Sequence, residues 1–121
     1  MPELICLKTF SDKRGNLTVI ERIMPFDIKR IFYIYGVDNS IRAGHRHKKT
    51  IQAAVCIKGS CRINTNDGHQ STEFYLDAPD KCLMLKPEDW HTMDQFTEDA
   101  ILMVLASEYY DHNDYIFEPY S

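Results

Sequence analysis

Eight short runs of apolar, β-branched and aromatic residues, each closed by a turn signal, limit what this chain can fold into. They cover residues 4–7, 17–20, 28–35, 51–57, 61–64, 72–76, 82–85 and 100–106. Asp12-Lys13-Arg14-Gly15, Asp38-Asn39-Ser40, Lys58-Gly59, Asn66-Asp67-Gly68, Ala78-Pro79-Asp80 and Thr97-Glu98-Asp99 stand between them. Asp-Gly and Lys-Gly pairs favour tight hairpins. Many short strands with closely spaced turns predict an all-β, antiparallel sandwich or barrel. Residues 101–105 are apolar throughout and match a buried helix segment as well as a strand. The β-rich surroundings favour a central strand. A length of 121 residues predicts one domain, 1–121, with one core.

Hydrophobic residues at 44% and charged residues at 26% are ordinary for a globular protein. A sequence pI near 5.7 argues against a nucleic-acid binder, which is usually basic. No run of 18 apolar residues provides a membrane-spanning helix. The N-terminal Met-Pro-Glu-Leu-Ile-Cys lacks the charged-then-apolar form of a signal peptide, so a cytoplasmic protein is expected. Cys6, Cys56, Cys61 and Cys82 form no Cys-x-x-Cys pair and read as small buried hydrophobes in a reducing compartment. After Lys86 nine acids follow with no Lys or Arg, which reads as a solvated acidic face. Within it the aromatic and acidic stretch 109–115 has three destinations: over a site, against a partner subunit, or across the barrel end.

Residues 42–49 read Arg-Ala-Gly-His-Arg-His-Lys-Lys, a basic island in a chain of net charge −4. His45 and His47, two apart on a strand, leave the same face. Clustered cations attract phosphate, and imidazoles exchange protons near neutral pH. Gln52 and His91 complete a spacing that resembles the ligand set of metal-binding cupins, with an amide where those proteins place glutamate. An amide carbonyl is a weak ligand for iron, manganese or zinc, and Arg46, Lys48 and Lys49 add repulsion. No metal and no other cofactor is therefore expected. An acid/base pair is favoured over a purely structural pair of histidines. Neighbouring cations lower a histidine pKa, which favours the neutral base, and stabilise an enediolate.

The chain resembles the cupin-fold sugar-nucleotide 3,4-ketoisomerases over nearly its whole length. The likeness lies in Asp12-Lys13-Arg14-Gly15-Asn16-Leu17, in Pro25-Phe26-Asp27-Ile28-Lys29-Arg30-Ile31-Phe32-Tyr33-Ile34 and in Arg42-x-x-His45-x-His47-Lys48. It continues in Cys56-x-x-Gly59-Ser60, Trp90-His91-x-Met93 and Leu105-Ala106-Ser107-x-Tyr109-Tyr110-Asp111-x-x-Asp114-Tyr115-Ile116. The resemblance implies an antiparallel jelly-roll β-barrel and a metal-independent isomerase acting on dTDP-4-keto-6-deoxyglucose. A histidine would remove the C3 proton, and protonation at C4 of the enediol would give the 3-keto sugar for deoxyaminosugar synthesis. It also implies a homodimer, often with the N-terminal strand exchanged. Carried over by position, His45 and His47 are the acid/base pair. Arg42, Lys48 and Gln52 line the sugar and diphosphate pocket, and Arg14 and His91 face the sugar.

Phe32 stands where that family has the first tyrosine of a pair, a proton-shuttle candidate. Phe32 and Tyr33 are thus placed at the substrate, although Tyr33 points to the other face of a regular strand. His91, Arg14 or water would have to replace the missing hydroxyl. The family's Gly-aromatic-His-small-His stretch is also altered, to Ala43-Gly44-His45-Arg46-His47, with Arg46 pointing away from the histidines. Two alternatives remain: a C3/C5 epimerase of a similar keto-sugar, and a non-catalytic nucleotide-sugar-binding protein.

Overall fold

The computed structural model describes residues 2–121. Twelve strands follow in order: β1 (Glu3–Cys6), β2 (Lys8–Asp12), β3 (Gly15–Val19), β4 (Arg30–Ile34), β5 (Arg42–His47), β6 (Gln52–Lys58), β7 (Cys61–Asn66), β8 (Ser71–Leu76), β9 (Lys81–Leu85), β10 (Trp90–Asp94), β11 (Ile101–Ala106) and β12 (Tyr115–Ile116). A single 3-10 turn, His112–Asp114, precedes β12. All pairings are antiparallel. One sheet has the order β1-β9-β6-β11-β4, the other β12-β5-β10-β7-β8, and β2-β3 is a separate hairpin.

The main core lies between the two sheets. Ala54, Leu83, Leu85, Leu102 and Val104 of the first meet Ile63, Leu76 and Met93 of the second. The first sheet is also covered on its other face. There Ala53, Val55, Met84 and Leu105 pack beneath Leu7, Ile20, Met24 and Phe26. Burial on both faces is why residues 101–105 are apolar without alternation, and the expected central strand is what forms. In the second sheet β7 and β10 alternate buried and partly exposed positions along their lengths. Its outer face is polar, with Arg62 paired to Asp94 at 2.7 Å.

Eight of the strands coincide with the sequence runs to within a few residues; β2, β5, β10 and β12 contain no apolar run. Cys56, Cys61 and Cys82 are buried as expected, whereas Cys6 is exposed because it falls on an outward position of β1. The acidic segment after Lys86 is not uniformly solvated: Asp89 and Asp114 are buried.

Candidate active site

One side of β5 builds the site. β5 pairs with β10 so that His45 stands directly opposite His91, and with β12 so that His47 stands opposite Tyr115. Between His91 and Thr92 the register jumps from His45 to Ala43, which leaves Gly44 as the extra residue of a bulge. Gly44 has φ 86°, a left-handed conformation that glycine adopts without steric cost. Ala43 shares that conformation at φ 66°, where a Cβ is unfavourable, so backbone strain is stored beside the histidines. The bulge keeps His45 and His47 on the inner face.

The three imidazoles form one cluster. Ring centroids are 5.0 Å apart for His45–His47, 4.9 Å for His45–His91 and 6.3 Å for His47–His91. The Tyr115 ring lies 4.7 Å from both His45 and His47. Phe32, Ile34, Arg42, Gln52, His91 and Tyr115, together with His45, surround a cavity of about 150 Å³. Whole-ligand pockets usually span roughly 300–1,000 Å³. This one has room for a single ring, so the rest of a larger ligand must lie along the rim. Four roomier depressions occur on the outer surface, but none of them contains the paired histidines of β5.

Hydrogen bonds fix two of the histidines. His47 Nδ1 donates to Asp114 Oδ2 at 2.9 Å. Asp114 also accepts from the Lys49 amide at 2.8 Å and from the Thr50 hydroxyl. His91 Nδ1 donates to the Asp89 carbonyl at 3.1 Å. Both Nε2 atoms are buried and unpartnered within the described residues, as is Gln52 Oε1. With the proton held on Nδ1, each Nε2 is left as an acceptor.

Electrostatics favour neutral imidazoles. Burial first, then His91 and His47, lower His45 to about 3. Burial also lowers His91 to about 4, against the pull of the Asp89 carbonyl. Burial lowers His47, with Arg30 adding to the effect and Asp114 opposing it. Burial raises Asp114, but bonds from Thr50, Lys49 and His47 outweigh this and hold it below the ordinary carboxylate value. The pair is therefore a carboxylate beside a neutral imidazole. Among the described residues no group of three or more His, Cys, Asp or Glu side chains is placed to hold a metal ion.

The basic island divides. Arg42 enters the cavity wall. Arg46 turns outward, as expected, and its guanidinium covers the Tyr120 ring at 4.2 Å. The Lys48 side chain is exposed past the end of β5 and is not part of the cavity wall. Tyr33 lies on the outer face of β4, 63% exposed and stacked on Tyr35 at 5.8 Å, the face that strand alternation predicts. Strand alternation brings Arg30, Phe32 and Ile34 inward in its stead. Arg14 sits at the β2-β3 turn, exposed and paired with Asp12 at 2.7 Å, so a single chain does not carry it to the cavity. Sequence reasoning missed Asp114, Tyr115 and Arg30. The signal for the first two was an Asp-Tyr-Ile segment in an aromatic tail, and the tail crosses the site.

A family model described as FdtA, WxcM-like, C-terminal matches residues 2–121. The chain belongs to this family. A TDP-4-oxo-6-deoxy-alpha-D-glucose-3,4-oxoisomerase from Aneurinibacillus thermoaerophilus is 44% identical over 117 residues, covering 94% of this chain and 84% of the relative. The sugar 3,4-ketoisomerase QdtA from Thermoanaerobacterium thermosaccharolyticum, solved with TDP, superposes with TM-score 0.92 at 43% identity, covering 97% and 88% of the two chains. A dTDP-4-dehydrorhamnose 3,5-epimerase from Bacillus anthracis superposes at TM-score 0.82 with 16% identity, covering 94% and 76%, a likeness of fold alone. The FdtA-family chain adopts the jelly-roll cupin fold that the resemblance implied, and it is an isomerase like its relatives.

Proposed function

We propose that this FdtA-family protein is a 3,4-ketoisomerase of TDP-4-keto-6-deoxyglucose that works by histidine acid/base catalysis through an enediol. The observation that carries the reading is the imidazole cluster around a cavity sized for one sugar ring. A His-to-Asn mutant of QdtA was crystallised with that same nucleotide sugar, which supports the substrate. His45 is the carbon base: burial keeps it neutral, and among the described residues no Asp or backbone carbonyl holds its ring. His47, tied to Asp114, accepts a hydrogen bond from a sugar hydroxyl and orients the ring. Phe32 supplies an apolar wall, and Gln52 and His91 complete the polar lining. The product enters deoxyaminosugar synthesis in the cytoplasm, where four unpaired thiols are stable.

The test is incubation with TDP-4-keto-6-deoxyglucose in deuterated water. Deuterium at C3 of recovered substrate and C4 of product is expected. Label at C3 and C5 would show an epimerase, and no label with retained TDP binding would show a binder.

Arg42 is the diphosphate anchor, because a guanidinium fork matches phosphate oxygens and Arg42 lies at the cavity wall. Arg42→Ala should weaken TDP binding by about 1.5–3 kcal/mol, the usual range for a charged hydrogen bond. Calorimetry showing unchanged TDP affinity would place the phosphates elsewhere. Lys48, exposed past the end of β5, adds long-range attraction for the phosphates.

Catalysis needs no metal in this reading. Activity should survive exhaustive chelation, and metal analysis of purified protein should give well under one transition ion per chain. Restored turnover on adding back iron, manganese or zinc to stripped enzyme would refute this.

A homodimer completes the proposal. Phe10 and Leu17 on the β2-β3 hairpin are 53% and 60% exposed. A second copy covering them would carry Arg14 toward the partner's cavity. Solution mass should be that of two chains at micromolar concentration.

A further inference from the structure

Isomerisation between C3 and C4 moves two protons, one between carbons and one between oxygens. His45 accounts for the carbon proton, and the ketoisomerase reading above assigns nothing to the oxygen proton. We propose that the Tyr115 hydroxyl relays it between O3 and O4 of the bound sugar. This inference rests on that reading.

The cavity leaves few alternatives. The Arg42 guanidinium has donors and no acceptor. The Gln52 amide is neither an acid nor a base near neutrality. His47 and His91 have their Nδ1 protons committed to Asp114 and to the Asp89 carbonyl, so their Nε2 atoms only accept. Phe32, Ile34 and Met93 carry no proton to exchange. A phenol both donates and accepts at one atom. Tyr115 is the hydroxyl-bearing side chain of this cavity wall.

Its position suits the task. Strand pairing sets Tyr115 opposite His47, and its ring centroid is 4.7 Å from the centroids of both His45 and His47. Phe117 stacks on it at 6.0 Å and 18°, and Tyr110 packs at 5.8 Å. The ring is therefore held on the side of the carbon base.

The step balances without oxidant or reductant. His45 takes the C3 proton, the C3–H electron pair forms the C3=C4 bond, and O4 receives the phenol proton. The resulting phenolate then removes the O3 proton as C3=O forms. The C3=C4 pair takes a proton at C4 from the His45 imidazolium, whose N–H exchanges with solvent in the meantime. One C–H and one O–H bond break and one of each forms.

Tyr115→Phe keeps the aromatic stack and deletes the hydroxyl. The enolate formed by His45 should then return to substrate more often than it proceeds. Turnover should fall at least ~10-fold, within the usual range for acid–base groups, with TDP affinity unchanged. Deuterium at C3 of recovered substrate, measured per product formed, should rise by a similar factor. His45→Asn, by contrast, should lose exchange and turnover together. Wild-type protein that neither exchanges nor isomerises would refute the ketoisomerase reading itself. With wild-type turnover established, a Tyr115→Phe enzyme with an unchanged exchange-to-product ratio refutes the relay, as does one losing both together. If Tyr115→Phe does not fold, 4-fluorophenylalanine at position 115 keeps the ring and a para atom but carries no exchangeable proton. The same rise in the exchange-to-product ratio is then expected, and an unchanged ratio overturns the proposal.

Discussion

His45→Asn should lower turnover by at least ~10² while TDP still binds, in line with the contribution of a general acid–base group. Asparagine keeps the size and hydrogen-bonding capacity of the side chain but removes the titration. The wild-type pH profile should carry a second mark of this residue. An ordinary histidine base, with a pKa near 6.5, would be half protonated by mildly acid pH. His45 is lowered to about 3 by burial and its two imidazole neighbours, so it stays neutral as pH falls from 7 to 5. The ratio kcat/KM, which reports free-enzyme ionisations, should therefore remain nearly flat over that interval. Binding of an anionic diphosphate sugar reverses part of this bias, because negative charge stabilises the imidazolium that forms after proton abstraction. A limb near pH 6.5 in kcat/KM would show that the cluster does not hold His45 neutral. Near wild-type isomerisation by a folded His45→Asn protein would remove His45 from the mechanism.

The fold was legible where burial imposed a pattern. Residues 51–57, 82–85 and 100–106 are buried on one or both faces of the first sheet, and their apolar content follows directly. The strands of the site were less visible for the opposite reason. β5 and β10 turn His45, His47 and His91 inward where a core strand would turn leucine, so no apolar run marks them. The hairpin β2-β3 buries almost nothing, and Lys8–Asp12 accordingly carries no strand signal beyond its pairing. Tyr33 illustrates the period of two. Family position puts it beside Phe32 at the substrate, yet alternation turns it to the opposite side, and the inward neighbours of Phe32 are Arg30 and Ile34. Asp114 and Tyr115 depend on a non-local pairing of the C-terminal segment with β5. Nothing local distinguishes Asp114 from Asp111, which caps the 3-10 turn at the surface.

Asp114 therefore gives the second large effect expected. Its carboxylate accepts bonds from His47, Thr50 and the Lys49 amide at a position 4% exposed. In Asp114→Asn one carboxylate oxygen becomes an amide donor. A donor facing His47 Nδ1 requires that nitrogen to accept, which moves the imidazole proton to Nε2 and points it into the cavity. The acceptor facing the sugar becomes a donor, so ring orientation is lost without loss of shape. Turnover should fall by about 10²-fold or more, as expected when the orienting partner of an active-site histidine is removed. Stability should drop by about 1.5–3 kcal/mol in urea denaturation, the worth of a hydrogen bond to a charged group. The carboxylate is held below its ordinary 3.8, so its stabilisation is complete above that value and is lost as pH falls through the lowered one. At pH 7 the wild-type carboxylate is thus fully ionised, and the comparison with asparagine isolates its charge and tautomer control. Asp114→Ala should cost more stability, because three donors then lose their acceptor in a buried place. Nitrogen-resolved NMR of the imidazoles separates the causes: Asp114→Asn should shift the His47 proton from Nδ1 to Nε2 while His91 keeps its own on Nδ1. An unchanged His47 tautomer together with undiminished turnover would show that Asp114 only ties the C-terminal segment to β5.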